Sequence, residues 1–140
     1  MTTTDNSILQ QEWSILHRDF ERYDQYGLFI KIAAIITAVV SLGLALPLLA
    51  TVSFTAIFWL QEGIWRTVQG RCGDRLLILE KQIKTEPESV GMQFYSEWEA
   101  SRPGTLGTIV EYLRHSARPT VAYPYIVLIA LALLLVCWVG

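Results

Sequence analysis

Residues 28–65 read LFIKIAAIITAVVSLGLALPLLATVSFTAIFWLQEGIW, and the way this run divides decides the fold. As far as Leu60 it carries a single charge, Lys31. A helix rises about 1.5 Å per residue and needs about 20 residues to cross about 30 Å of hydrocarbon. The run is far too long for one upright span and just long enough for two. Gly43 and Pro47 stand near its middle, in SLGLALPLL, and a glycine followed by a proline is a helix-stop and turn signal. The spacing therefore predicts two short spans, 28–45 and 48–65, joined by a very tight bend. One long tilted helix is the alternative. Phe58, Trp59 and Trp65 give the second span an aromatic end of the kind found at membrane interfaces.

Outward from this run, VAYPYIVLIALALLLVCWV at 121–139 has no charge at all and fits a third span. Tyr123 and Tyr125 mark one end of it and Trp138 the other. Pro119 and Pro124 fall before or within its first turns, where a missing N–H costs little. These runs explain a composition of 52% hydrophobic and only 17% charged residues, where a soluble domain carries about 25% charged. The first 27 residues have no apolar stretch of the signal-peptide kind, so the N-terminal segment is expected to be retained. The expected fold is an all-α membrane protein with three transmembrane helices. Residues 1–27 form an amphipathic helix, 28–65 the transmembrane hairpin, 66–118 a polar helical segment and 119–140 the third span.

Basic residues set the expected sidedness. Arg18 and Arg22 precede the first span, none lies at the bend, and none follows the third span. Between the second and third spans stand Arg66, Arg71, Arg75, Lys81, Lys84, Arg102, Arg114 and Arg118. The positive-inside rule then puts 1–27 and 66–118 in the cytoplasm and the C-terminus on the opposite face. Partners beyond the lipid bilayer are expected at the cytoplasmic helices, as another protein or a second copy. With 11 basic and 13 acidic residues there is no excess of positive charge to neutralise phosphates, which argues against nucleic acid.

Two apolar stripes recur at helical spacings, the first alternating between four and three. One is Leu9, Trp13, Leu16, Phe20 and Tyr23, on a helix that Asn6 or Ser7 can cap. The other is Ile64, Val68, Cys72, Leu76, Leu79 and Ile83, running on from the second span. Facing residues in an antiparallel hairpin keep a constant sum of numbers, because both helices rise equally. A bend at Leu46 pairs Leu9 with Ile83, Trp13 with Leu79, Leu16 with Leu76 and Phe20 with Cys72. The same register sets Ala34 against Phe58, Thr37 against Thr55 and Ser41 against Thr51, with hydroxyls able to bond across. It brings Lys31 beside Gln61 and Glu62. Lys31 is close enough to a helix end to snorkel to the interface; an ion pair or a pathway residue is the functional alternative. The possible interhelical contacts are thus Lys31, Glu62, Thr37, Thr55, Ser41 and Thr51. The rival reading has each stripe pack on another subunit as an oligomeric coiled coil. Gly70 and Gly73 weaken the second helix by about 1 kcal/mol each or serve close contact.

Residues 86–118 are the least regular. Phe94, Tyr95 and Trp98 mark a short helix ended by Arg102-Pro103-Gly104; they are expected to anchor it at headgroups or fill a small core, with a ligand platform as the functional alternative. TLGTIVEYLRHSA at 105–117 follows, with Thr105 as its cap and Ile109, Val110 and Leu113 on one side. Two placements are open for it, flat at the membrane surface or packed on the hairpin. Cys72 and Cys137 are too far apart in character to pair. His17 and His115 have no ligand or nucleophile spacing around them, and Glu97 and Glu99 point different ways on a helix. No cofactor, metal or catalytic residue is expected.

The order of a polar helix, a span, a tight turn and a second span running into a long helix resembles the SLATT family of small bacterial membrane proteins. The likeness is one of architecture over residues 7–84, with its nearest local echo in QEGIWRTVQGRCGDRLLILEKQI at 61–83. It implies a bacterial cytoplasmic membrane and a pore-forming effector role in conflict systems. The third span departs from that two-span pattern, and no functional residue carries over. The residues themselves favour a non-enzymatic subunit or scaffold that docks a partner on its cytoplasmic helices. A self-assembling pore or effector is the alternative, and a membrane enzyme of unknown class the second alternative.

Overall fold

The computed structural model describes residues 2–85, 94–101 and 103–139, with side chains described for 7–84, 94, 96, 98–100 and 103–138. The elements are α1 (Thr2–Gly43), α2 (Leu48–Thr85), α3 (Phe94–Ser101), α4 (Thr105–Ser116) and α5 (Pro119–Val139). All regular structure among the described residues is helical. Three stretches are long and apolar enough to cross a membrane: Ser7–Gly43, Leu48–Lys84 and Pro119–Trp138.

The first two helices are longer than a bilayer needs. α1 has 42 residues and α2 has 38, which at 1.5 Å per residue makes each about 60 Å long. The polar segment and first span expected from the sequence are one unbroken helix. It starts at Thr2, before the expected caps Asn6 and Ser7, and the side chain of Asn6 lies outside those described.

The bend falls where expected, but its chemistry differs. Gly43 is the last residue of α1, and the left-handed residue is Ala45, with φ 51°. The Leu46 N–H donates to the Ser41 carbonyl at 2.9 Å and the Ala45 N–H to the Leu42 carbonyl at 3.1 Å. This crossed pair of bonds closes a helix end while satisfying its last carbonyls. Pro47 then opens α2, its carbonyl accepting from Ala50 at 2.8 Å.

Two cores hold the helices. In the polar halves, Leu9, Leu16, Cys72, Leu76 and Leu79 are buried, with Trp13, Phe20, Tyr23, Ile83 and Phe94 packed around them. Each fully buried leucine contributes about 2 kcal/mol relative to an exposed one. As numbers rise along α1 the contacts on α2 fall. Trp13 bonds Glu80 at 3.3 Å, Glu12 meets Arg75 at 3.0 Å, Asp24 meets Arg66 at 2.6 Å and Lys31 meets Glu62 at 3.1 Å. In the apolar halves, Ala34 packs with Val121 and Tyr125 of α5, flanked by Phe58, Trp59 and Leu128.

α4 packs along α2 on a row of residues with little or no side chain. A methyl at Gly63 would overlap the Ser116 hydroxyl and lie 3.2 Å from the Tyr112 carbonyl. The His115 ring lies against Gly70, where a methyl would come within 3.1 Å of it. Between them Thr67 is fully buried, its hydroxyl donating to the Gly63 carbonyl at 2.9 Å. Gly73 has a different neighbour, Phe20 of α1. The cap of α4 is Gly104, with no side-chain bond, in place of the expected Thr105. In α3, Trp98 lies 5.4 Å beneath the Arg71 guanidinium, while the side chains of Tyr95, Glu97 and Arg102 lie outside those described.

Candidate functional site

The densest polar construction sits where α1, α2 and α5 meet, at the end of the apolar halves away from the bend. Glu62 is its centre and is fully buried. Its Oε1 faces Lys31 Nζ at 3.1 Å and Arg66 Nε at 3.4 Å, and its Oε2 accepts from the Tyr125 hydroxyl at 2.8 Å. A lone carboxylate in an apolar medium is strongly disfavoured, and this one is tolerated because donors from three helices converge on it.

The cluster extends outward with its charges balanced. Arg66 Nη1 donates to Asp24 Oδ1 at 2.6 Å and to Gln69 Oε1 at 2.7 Å. Gln69 in turn donates to the Phe20 carbonyl at 3.2 Å. Two cations, Lys31 and Arg66, thus meet two carboxylates, Glu62 and Asp24. The guanidinium reaches across α1 because residue 27 is glycine; a methyl there would lie 3.1 Å from Arg66 Nη2.

The third helix is tied in through a proline. Pro124 has no N–H, so the Thr120 carbonyl one turn earlier has no partner within the helix. Lys31 Nζ donates to that carbonyl at 3.3 Å. Lys31 is therefore turned toward α5 and Glu62, with 22% of its side chain exposed. Its ammonium is held by two acceptors where simple snorkelling would leave it to water. Next to it the Trp59 indole donates to the Ser116 carbonyl at 2.9 Å and stacks on Tyr125 with centroids 6.1 Å apart. The end of α4 is thereby joined to the same cluster.

Of the residues singled out in the sequence, Lys31 and Glu62 come together here. Gln61, expected beside them, is exposed. The hydroxyl seam is placed elsewhere, toward the bend. Ser41, Thr51 and Thr55 are each 3% exposed or less, and Thr37 is half-buried. The expected bonds across the hairpin give way to a local one: Thr55 donates to the Thr51 carbonyl on its own helix at 2.8 Å. The Thr51 hydroxyl is buried without a hydrogen-bond partner. A hydroxyl in a helix can reach the carbonyl one turn back, and at Thr55 this local bond takes the place of one across the hairpin.

Arg66, Tyr125 and Pro124 also belong to the cluster, where the sequence marks them only as a basic residue that sets sidedness, an interfacial aromatic and a tolerated proline. One signal points to Arg66. Arg66 lies four residues from Glu62, a spacing that pairs charges on a helix. Nothing in α5 singled out Tyr125, because that helix is apolar on every side.

Chemically the site is a clamp. Three donors occupy both oxygens of Glu62, so the carboxylate is engaged in holding helices together. Among the described residues no three histidines, cysteines or carboxylates are grouped to hold a metal. Cys72 is buried and Cys137 exposed, both as free thiols. His115 is pushed below its ordinary pKa, first by burial against α2 and then by Arg118, despite Glu111 and Asp74 nearby. No protein family, curated protein or solved structure matches the chain.

Proposed function

We propose that this chain is a non-enzymatic integral membrane subunit or scaffold whose first two helices form an antiparallel hairpin, half in the bilayer and half in the cytoplasm, and that it docks its partner on the cytoplasmic half. The supporting observation is the length of the helices. Two rods of about 60 Å are about twice the hydrocarbon thickness, and their polar halves are packed by a separate core and the buried pair Glu12–Arg75. A protruding hairpin with its own core presents a rigid surface. On it Ile15, Leu77 and Ile78 are exposed apolar residues available to a partner. The excess of Lys and Arg in 66–118 supports the cytoplasmic side.

A self-assembling pore is the competing reading. A lumen lined by Thr37, Ser41, Thr51 and Thr55 would need those hydroxyls to face other subunits. Ser41, Thr51 and Thr55 are buried within one chain, which counts against such a lumen. The Glu62 clamp fits the scaffold better, since it holds the third span rigidly against the hairpin.

Two measurements test the proposal. A tag inserted at the bend between Gly43 and Pro47 should be reachable only from the extracytoplasmic side, and labelling from the cytosol would sink the map of sides. Oxidation of Trp13→Cys with Leu79→Cys should give a cross-link within one chain. A cross-link only between chains, together with a closed ring in native mass spectra, would favour the pore.

A further inference from the structure

We infer that the half of α4 nearest α5 is a lipid-contacting surface that stands in the headgroup layer beside the hairpin, with Leu113 at the acyl-chain boundary and Arg114 and Arg118 on anionic lipid phosphates. This rests on the membrane placement given above and adds a specific lipid-binding surface to it. Leu106, Ile109, Val110 and Leu113 follow helical spacing and form one face. They are 80%, 47%, 63% and 54% exposed, an apolar stripe that the described residues leave open. The opposite face is taken. Glu111 pairs with Arg71 at 2.8 Å, His115 lies on Gly70 and Ser116 on Gly63. The stripe therefore faces away from the hairpin and cannot roll inward without breaking those contacts.

The occupant follows from where the helix ends. Only Ala117 and Arg118 separate α4 from α5. The Ser116 carbonyl is held by Trp59, beside the point where Lys31 meets the first turn of α5. The C-terminal end of α4 is thus at the level where α5 enters hydrocarbon. From there its 12 residues rise about 18 Å along α2. A headgroup layer is about 5–7 Å thick on each side of the hydrocarbon, so the half of α4 nearest α5 lies at the lipid boundary. On α5, Tyr123, Ile126 and Val127 are also uncovered. Arg114, next to Leu113 on α4, and Arg118, just beyond the end of that helix, are both exposed. An apolar face with arginines near its end is the surface that suits an anionic bilayer.

The full chain, with Cys72→Ala and Cys137→Ala, would carry a nitroxide at Leu106→Cys, Val110→Cys or Leu113→Cys. Leu133→Cys serves as the lipid control and Gln10→Cys as the water control. The protein is placed in vesicles of phosphatidylcholine alone or of phosphatidylcholine and phosphatidylglycerol in equal parts. At Leu113, collisions with oxygen relative to a water-soluble nickel chelate should be several-fold more frequent than at Gln10, approaching Leu133, and at Val110, about 9 Å from the Ser116 end of the helix, they should lie between Leu113 and Gln10. Leu106, about 15 Å from that end, should read like Gln10. The ratio at Val110 should rise when phosphatidylglycerol is present, and Arg114→Glu with Arg118→Glu should abolish that rise. Nickel access at Val110 and Leu113 equal to Gln10, with Leu133 still in lipid, would overturn the inference and leave the membrane placement standing. Spin–spin broadening at Val110 would overturn it in favour of a second copy. Equal readings in the two vesicle types would overturn the assignment of the arginines to lipid phosphate. Water-like access at Leu133 would overturn the membrane placement, and this inference with it.

Discussion

Ala45 carries the bend in a left-handed conformation, φ 51°, that costs an L-residue with a Cβ about 1 kcal/mol. Ala45→Gly should therefore stabilise the protein by about 1 kcal/mol, less the entropy that glycine adds to the unfolded chain. Ala45→Val should destabilise it by more than that, both read as shifts in thermal unfolding in detergent. Glycine at 43 looked like the turn residue because glycine and proline punctuate helices. Which residue of LGLALP takes the positive φ depends on where the crossed bonds from Ala45 and Leu46 close, and composition does not carry that. The same scale holds the Lys31–Thr120 contact. A proline in a span leaves a carbonyl open, and only the approach of another helix decides what fills it.

Helix pairing is decided by the smallest side chains. Gly63→Ala adds about 1 kcal/mol of helix propensity but forces Ser116 and the Tyr112 carbonyl to move, and overpacking costs about 1–3 kcal/mol. The net effect should be destabilising by about 1 kcal/mol. Pairing it with Ser116→Gly should recover part of the loss, and a double-mutant cycle on unfolding in detergent checks this. His115 adds a pH dependence to the same contact. Its pKa is lowered from an ordinary value of 6.5, and its Nδ1 is buried without a hydrogen-bond partner. Above 6.5 the ring is neutral folded or unfolded and costs nothing. As pH falls below that value the unfolded chain takes up a proton that the docked ring resists, so stability drops through the window between the two pKa values. The protection factors for hydrogen exchange in α4, taken against the intrinsic rate at each pH, should fall on acidification through that range, and His115→Asn should remove the effect.

At the scale of the molecule the three long helices meet at the Glu62 cluster, and α1 and α2 are joined a second time by the core around Glu12 and Arg75. Both members of that second pair are nearly buried, at 7% and 3% of their side chains, so removing one charge leaves the other in a poor solvent. Glu12→Leu should cost about 3 kcal/mol, while Glu12→Leu with Arg75→Leu should cost much less, since a matched apolar pair replaces a buried ionic one with little loss. Limited proteolysis of the polar halves of α1 and α2 in detergent reads both. A loss as large in the double variant as in the single would mean that the apolar core, and not the pair, sets the spacing of the rods.

Three helices able to cross a membrane, and the bend between the first two, could be read from residues 28–65 and 119–140, because hydrocarbon length and uncharged runs are local properties of a chain. The stripes Leu9–Tyr23 and Cys72–Ile83 were legible for the same reason: one face of a helix buried against one neighbour leaves a period in the sequence. The third helix was different. α5 is apolar on all sides, since lipid and protein ask for the same residues, so no period announced that Tyr125 and the open Thr120 carbonyl meet Glu62 and Lys31. The seat of α4 on Gly63 and Gly70 was hidden too, because a glycine records only that something comes close. These contacts join residues about 45–90 apart in sequence, and only the tertiary structure, by setting the helices side by side, chose the partners.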